Sequence, residues 1–372
     1  MPTAAPPAVS EPSLRIAVLS SISWSTPPAH YGPWELFASL LTEGLVARGH
    51  DVTLFATGNS TTDAALSWVA PVGWSEDQSI EPKVVECLHI ASVFERAAEF
   101  DIIHNSFDFL PLTYSRLTNT PVVTTIHGFS SEKVVEVYRQ YNQNNSYVSI
   151  SQADRHPDLR YAATIHHGID TAGFAPCDRR NDNLLYFGRI HPHKGTESAI
   201  NVAHRTNRPL VIAGIIQDQE YFDSRIAPHI DGVHVTYVGP VGGAERLALL
   251  GSSYAMLHLI EFDEPFGLSV VESMASGTPV IAMNRGSMPE IVTPWVTGML
   301  VTTLDEAASA VSAVGDLDRE AIAADTARRF DVARMVDDYL AVYRSVLGEQ
   351  SARNLPRQPG AIPESPRDLR HV

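Results

Sequence analysis

Two glutamates, Glu264 and Glu272, flank the run Pro265-Phe-Gly-Leu-Ser-Val-Val271. Ahead of them, the apolar stretch Tyr254-Ala-Met-Leu-His-Leu-Ile260 predicts a buried strand. Gly267 opens a segment in which Leu268, Val271, Met274 and Ala275 recur at helical spacing. Gly277-Thr-Pro279 stops that helix, and a further strand starts at Val280. Glu264 therefore falls in the loop at a strand's carboxyl end, and Glu272 stands about one and a half turns into the helix. Open parallel sheets bind ligands at just that end of their strands, and a helix start there offers N–H groups to an anion. The chemistry on offer is backbone donation from Phe266, Gly267 and Leu268 to an anion, with a carboxylate on either side to grip hydroxyl groups. Two carboxylates alone would as readily be solvated; the glycine, the proline and the strand-to-helix setting favour a site.

A second strand-to-helix turn carries the opposite charge. Leu184-Leu-Tyr-Phe187 reads as a strand, Gly188-Arg-Ile-His-Pro-His-Lys-Gly195 follows, and a helix begins at Thr196. Arg189 supplies a planar fork of donors and Lys194 a point charge, a combination suited to a diphosphate. At the end of another strand stands Ile126-His127-Gly128. On sequence alone that histidine is as readily a buried structural ring as a functional one. His191 and His193 lack the further ligands that a metal would need. Asp316-Leu-Asp318 sits in a polar, helix-rich stretch and reads as a solvated pair.

These turns require a frame of alternating strands and helices. Strands are expected at Leu14–Ser20, Asp51–Ala56, Ile102–Asn105, Val122–Ile126, Tyr147–Ile150, Leu184–Phe187, Leu210–Ala213 and Val233–Val238, besides the two around Glu264. A helix is expected over Trp34–Arg48 with Leu36, Leu40, Leu41 and Leu45 on one side. A last helix, Val332–Leu347, carries Met335, Val336, Tyr339, Leu340 and Tyr343 on one side, with Asp331 as its N-cap. Alternation of this kind predicts parallel sheets covered on both faces. The 372 residues suffice for two domains.

The net charge of −16 argues against general affinity for nucleic acid or anionic lipid. Cys87 and Cys177 are far apart and fit no metal spacing, which points to a reducing, cytoplasmic setting. Residues 1–13 lack the basic and apolar regions of a signal peptide, and no apolar run is long enough to span a bilayer. The sequence contains no Walker loop, no Gly-x-Ser-x-Gly elbow, and no Gly-x-Gly-x-x-Gly after the first strand.

The stretch Glu264–Val280, continuing through Met288-Pro-Glu-Ile-Val292, resembles the E-x7-E motif of the retaining glycosyltransferases of family 4. The likeness extends to Gly188-Arg189…Lys194-Gly195, to Ser151-Gln-Ala-Asp-Arg155, and to the segment ending His167-Gly-Ile-Asp170, where the family usually has Asn at the position of His167. It implies the GT-B fold: an α/β protein of two Rossmann-like domains facing a central cleft, with the C-terminal helix crossing back to the first. The implied division is a disordered leader (1–13), an acceptor domain (14–168), a donor domain (169–330), the crossover helix (331–347) and a disordered tail (348–372). By the same resemblance Glu264 and the amides of 266–268 hold the donor sugar and Glu272 holds the ribose. Gly188, Arg189 and Lys194 clamp the diphosphate, Val241 in Gly239-Pro-Val241 meets the base, and His127 lies near sugar and acceptor. The family's glycine-paired loop has only Gly32 here, because the next residue is Pro33, which has no N–H.

The implied reaction moves a hexose, with UDP-glucose as the expected donor, to a small-molecule, saccharide or lipid-linked hydroxyl acceptor. No cofactor or metal is expected, the nucleotide sugar being a substrate. A sugar phosphorylase, a nucleotide-sugar epimerase or a catalytically silent sugar-nucleotide-binding protein are the alternative readings.

Overall fold

Short runs of β-branched and aliphatic residues, too short for helices and bounded by turn residues, form thirteen strands among the described residues of the computed structural model, which are 12–29, 32–129, 131–177 and 179–354. They make two sheets. The first contains β1 (Arg15–Leu19), β2 (Asp51–Ala56), β3 (Ala65–Trp68), β4 (Ile102–Asn105), β5 (Val122–Ile126), β6 (Asn145–Ser149) and β7 (Tyr161–Thr164). Their order is β3-β2-β1-β4-β5-β6-β7, all parallel. The second contains β8 (Leu184–Phe187), β9 (Leu210–Ala213), β10 (Val235–Gly239), β11 (Ala255–His258), β12 (Val280–Met283) and β13 (Gly298–Val301). Their order is β10-β9-β8-β11-β12-β13, again all parallel.

In each sheet the strand order reverses beside the first strand of that sheet, between β1 and β4 and between β8 and β11. At such a reversal the connections leave in opposite directions and open a crevice. β3, β7 and β13 were not expected. All three lie at sheet edges, where one hydrogen-bonded neighbour suffices and no continuous apolar run is needed.

The helices are α1 (Pro33–Ala47), α2 (Pro82–Glu95), α3 (Val135–Gln140), α4 (Thr196–Thr206), α5 (Gln219–Tyr221), α6 (Gly243–Ser252), α7 (Leu268–Ala275), α8 (Met288–Ile291), α9 (Leu304–Ala313), α10 (Arg319–Phe330) and α11 (Val332–Asn354). α1 is wedged between the first sheet and α11, so its buried apolar residues are Phe37, Ala38, Leu41 and Leu45, with Leu36 and Leu40 only half-buried.

α11 inserts Met335, Val336, Tyr339, Leu340 and Tyr343 into the core of the first sheet. Asp331 caps it as expected, its Oδ1 accepting from Ala333 N at 2.8 Å. The strap that leaves the first domain meets the strap that returns to it, with Ile169 N donating to Phe330 O and Val332 N to Ile169 O, both at 2.9 Å. The helix does not stop at Leu347 but runs on to Asn354. Gly348 costs only about 1 kcal/mol inside a helix, and Glu349, Gln350 and Ala352 after it are good helix formers. The rest of the expected tail, 355–372, and the expected leader up to residue 11 lie outside the described residues.

Candidate active site

The crevice between β8 and β11 brings the two charged turns together. Lys194 ends the turn after β8, and Gly195 follows it with φ 74°. A Cβ at Gly195 would run into the Leu259 carbonyl, so only glycine lets this turn lie against the end of β11. Glu261 N donates to His193 O at 2.9 Å, tying one turn to the other. From the far side Ser287 fixes the same loop, its N–H bonding Glu264 O at 2.9 Å and its Oγ bonding Phe266 O at 2.6 Å.

The outcome is an ion pair across seventy residues of chain. Lys194 Nζ donates to Glu264 Oε2 at 2.6 Å, with the two side chains 16% and 15% exposed. The ammonium also lies 4.6 Å from the centre of the Phe262 ring. His258, the last residue of β11, stands under the pair with Nε2 3.8 Å from the same Oε2. Burial pushes its imidazole down to about 4, so the ring is neutral. From the same turn Arg189 Nη1 donates to Gln217 Oε1 at 2.8 Å. Its charge and that of Glu264 are both felt at the Tyr186 hydroxyl, whose proton burial holds firmly. Gly188 continues the sheet, its N–H bonding Ala213 O at 3.0 Å.

Gly267, in left-handed conformation, caps α7. The N–H groups that start a helix have no intrahelical acceptor; in α7 these are at Leu268 and Ser269, a few residues past Glu264, while Val270 N already bonds Gly267 O at 3.0 Å. Phe266 is itself buried, so what it offers the crevice is backbone. Leu268 is half-buried in the first turn. Glu272 is not a surface residue: it is 6% exposed and ion-paired with Arg246 of α6. Burial raises the Glu272 carboxyl, and the Arg246 guanidinium works against that rise. Val241, half-buried, sits in the turn between β10 and α6.

The opposing wall comes from the first sheet and is built of rings. His127 follows β5 and is bonded through Nε2 to Ser106 Oγ at 2.9 Å. Its Nδ1 lies 3.4 Å from His167 Nε2. Trp34 stacks on His127 at 5.6 Å, and Phe37 meets it edge-on at 4.8 Å. His167 in turn meets Phe266 of the second domain edge-on at 5.1 Å. Burial, then His167 and His104, hold His127 well below the usual imidazole range, and burial pushes His167 down to about 3.

Gly32 precedes α1, where Pro33 takes the first position; the N–H that proline lacks would have had no intrahelical partner there. Glu35, one turn on, is buried, accepts from Ser21 Oγ, and has its carboxyl raised by burial.

The two walls touch. Gly128 has φ 107°, and a Cβ there would lie 2.9 Å from Pro265 Cγ. Glu290 of α8 reaches across to accept from Gln152 N and Ala153 N, each at 2.8 Å, and bonds His166 Nε2 at 3.0 Å. Asp154 beside it is pushed up to about 7 by burial and by the Glu290 charge.

Arg246, His258, Ser106, Glu290 and the Trp34–Phe37 wall were not singled out in the sequence. Glu290 falls within the quoted Met288–Val292 run and His258 within the Tyr254–Ile260 strand, but neither was given a role, and Arg246 and Ser106 belong to no motif. Asp318 of the Asp316–Asp318 pair caps α10, accepting from Glu320 N and Ala321 N. Among the described residues no three His, Cys, Asp or Glu side chains are grouped to hold a metal, and no helix is long and apolar enough to cross a membrane.

Two family models match in succession: "Glycosyltransferase Family 4" over residues 35–172 and "Glycosyl transferases group 1" over 178–320. The glycogen synthase of Mycobacterium tuberculosis is 25% identical over 82% of this chain and 87% of its own. Among solved structures, AviGT4, a glycosyltransferase involved in avilamycin A biosynthesis, is 25% identical with TM-score 0.66, covering 90% of this chain and 98% of its own. Alr3699/HepE from Anabaena, in complex with UDP and glucose, is 20% identical with TM-score 0.68, covering 89% of this chain and all of its own.

Proposed function

The chain belongs to glycosyltransferase family 4, retaining enzymes of the GT-B fold that use nucleotide sugars, and we propose that it transfers glucose from UDP-glucose to a hydroxyl acceptor. The observation that carries this reading is the meeting of Lys194, Glu264 and the start of α7 in the β8/β11 crevice. A cation, a carboxylate and a helix start in one place suit a sugar diphosphate.

In this reading the second domain (169–330) binds the donor and the first (14–168) the acceptor. Arg189, Lys194 and the α7 amides meet the negative charge that grows on the diphosphate as the anomeric bond breaks. Gly188 and Gly32 let backbone approach the phosphates. Glu264 grips sugar hydroxyls, Glu272 the ribose, and Val241 lies against the base. His127, neutral and aimed by Ser106 and His167, borders the sugar on the acceptor side. The acceptor oxygen attacks the face from which the diphosphate departs, and its proton passes to the departing phosphate oxygen. That same-face route accounts for retention without a covalent intermediate.

The uridine and glucose assignment is supported by the complexes that Alr3699/HepE forms with UDP and glucose and with UDP-glucose. A thermal-shift panel of UDP-, GDP- and ADP-sugars tests it. A donor at a hundred times its dissociation constant adds about 2.7 kcal/mol of stability. UDP-glucose should give the largest shift; a larger one from a guanosine or adenosine donor would overturn the assignment.

A further inference from the structure

Lys194 and His258 both lie near Glu264 Oε2, and of these two only Lys194 bonds it. Lys194 Nζ holds it at 2.6 Å, whereas His258 Nε2 stops at 3.8 Å, too far for a hydrogen bond. That Nε2 is buried and has no hydrogen-bond partner among the described residues. His258 is 7% exposed at the end of β11, so its ring lies packed away from bulk water. A buried ring nitrogen without a partner beside a carboxylate calls for one.

The proposed donor site supplies the reason for the missing partner, and the inference rests on that reading. Lys194 cannot serve Glu264 and an incoming diphosphate with equal strength. When it turns to the anion, Glu264 loses its cation just when its carboxylate must be held still against the sugar. A shift of about 1 Å would bring Oε2 within hydrogen-bond reach of His258 Nε2.

We propose that His258 is a positioning residue for Glu264: its neutral imidazole donates Nε2–H to the carboxylate once Lys194 has moved to the diphosphate. Binding the phosphates thereby sets the sugar-gripping carboxylate, and the two halves of the donor are recognised in sequence. No proton is transferred, since a neutral ring donates a hydrogen bond and keeps its hydrogen. The imidazole is suited to this, because burial outweighs the attraction of Glu264 and keeps it uncharged above about pH 4.

The test uses the full chain in two arms. In the first, 15N-histidine-labelled protein is titrated with inorganic pyrophosphate. The His258 Nε2 resonance, assigned from its loss in His258→Gln, should move to the position of a hydrogen-bonded N–H donor. In Lys194→Ala it should already stand there without pyrophosphate. A saturating titration that leaves the resonance unmoved overturns the proposal, and so does failure of pyrophosphate to bind at millimolar concentration.

In the second arm, calorimetry compares UDP with UDP-glucose. His258→Leu should bind UDP within twofold of the parent but bind UDP-glucose about tenfold more weakly, and His258→Gln, which keeps a donor, should recover most of that loss. Equal loss in the leucine and glutamine variants, or none in either, overturns it. If the parent binds UDP but not UDP-glucose, the glucose assignment falls instead, and the pyrophosphate arm decides the role of His258. That arm decides it also if His258→Leu fails to fold.

Discussion

The two walls of the cleft treat charge in opposite ways. On the second-domain side, carboxylates are kept beside cations: Lys194 on Glu264, Arg246 on Glu272. On the first-domain side burial works against charge: it pushes the His127 and His167 rings well down and raises the Glu35 and Asp154 carboxyls. The difference teaches which wall expects a charged ligand. Ion pairs can exchange partners when an anion arrives, whereas a wall of neutral rings and buried carboxyls without cations offers shape and single hydrogen bonds. A nucleoside diphosphate suits the first kind of surface and a hydroxyl acceptor the second. Neutral His258 on the ionic side is the exception, and it lies against the pair that would have to exchange.

The largest break in this contrast should come from removing a cation. Lys194→Ala and Arg189→Ala each delete a charge-assisted contact worth on the order of 2–4 kcal/mol in the transition state. Steady-state kcat/KM with UDP-glucose should fall by about two orders of magnitude or more in each. Near-normal rates in both would place the diphosphate elsewhere.

Next come the carboxylates. Glu264→Ala should depress kcat and relax discrimination between epimeric sugars while sparing UDP affinity. Glu272→Ala should mainly raise donor KM and weaken UDP. Titration calorimetry with UDP separates the two, and the reverse pattern would exchange their roles. Glu272→Ala also leaves the Arg246 guanidinium, 30% exposed and with its Nε already lacking a partner, without its carboxylate. Because water can reach that guanidinium, the cost should fall below the about 3–5 kcal/mol of a fully buried pair. Melting should still show a loss that Glu272→Ala/Arg246→Leu partly restores.

A subtler change sharpens the neutral side. Asp154 has a folded value of about 7, raised by burial and by Glu290, against 3.8 ordinarily. Below about pH 4 folded and unfolded chains both keep this proton. Between 4 and 7 the unfolded chain gives it up first, so stability falls, and above 7 the loss is complete. Asp154→Asn should raise Tm at pH 8 by roughly 2–4 °C, with the gain vanishing towards pH 4. A gain independent of pH would assign the effect to packing.

The smallest expected effect is none. If the ionic wall alone meets the diphosphate, activity should survive excess EDTA. Complete loss that manganese or magnesium restores would add a metal to that wall.

Much of this molecule was legible because its signals are local. Buried parallel strands read as apolar runs, so ten of the thirteen could be placed, and the three missed were edge strands. Gly267 and Gly195 mark turns whose backbone geometry is written in one residue. The helical face of α11 was read correctly at all five positions, whereas that of α1 was read correctly only at Leu41 and Leu45, because the helix is covered by the adjoining sheet on one side and by the distant α11 on another.

By itself, then, the sequence determined the alternation of strand and helix, the loops at the strand ends, and the residues that those loops carry, because each depends on neighbours within a few positions. Only the tertiary structure decided which of those residues meet. Lys194 and Glu264 pair because β8 and β11 are adjacent at the reversal of strand order. Arg246 and His258, which no motif announces, become partners of the two glutamates because α6 and the end of β11 pack beneath them. His127 becomes neutral and fixed because α1, β4 and the interdomain strap close around it. Charge pairing and desolvation depend on distance in space, and chain separation carries almost no information about that.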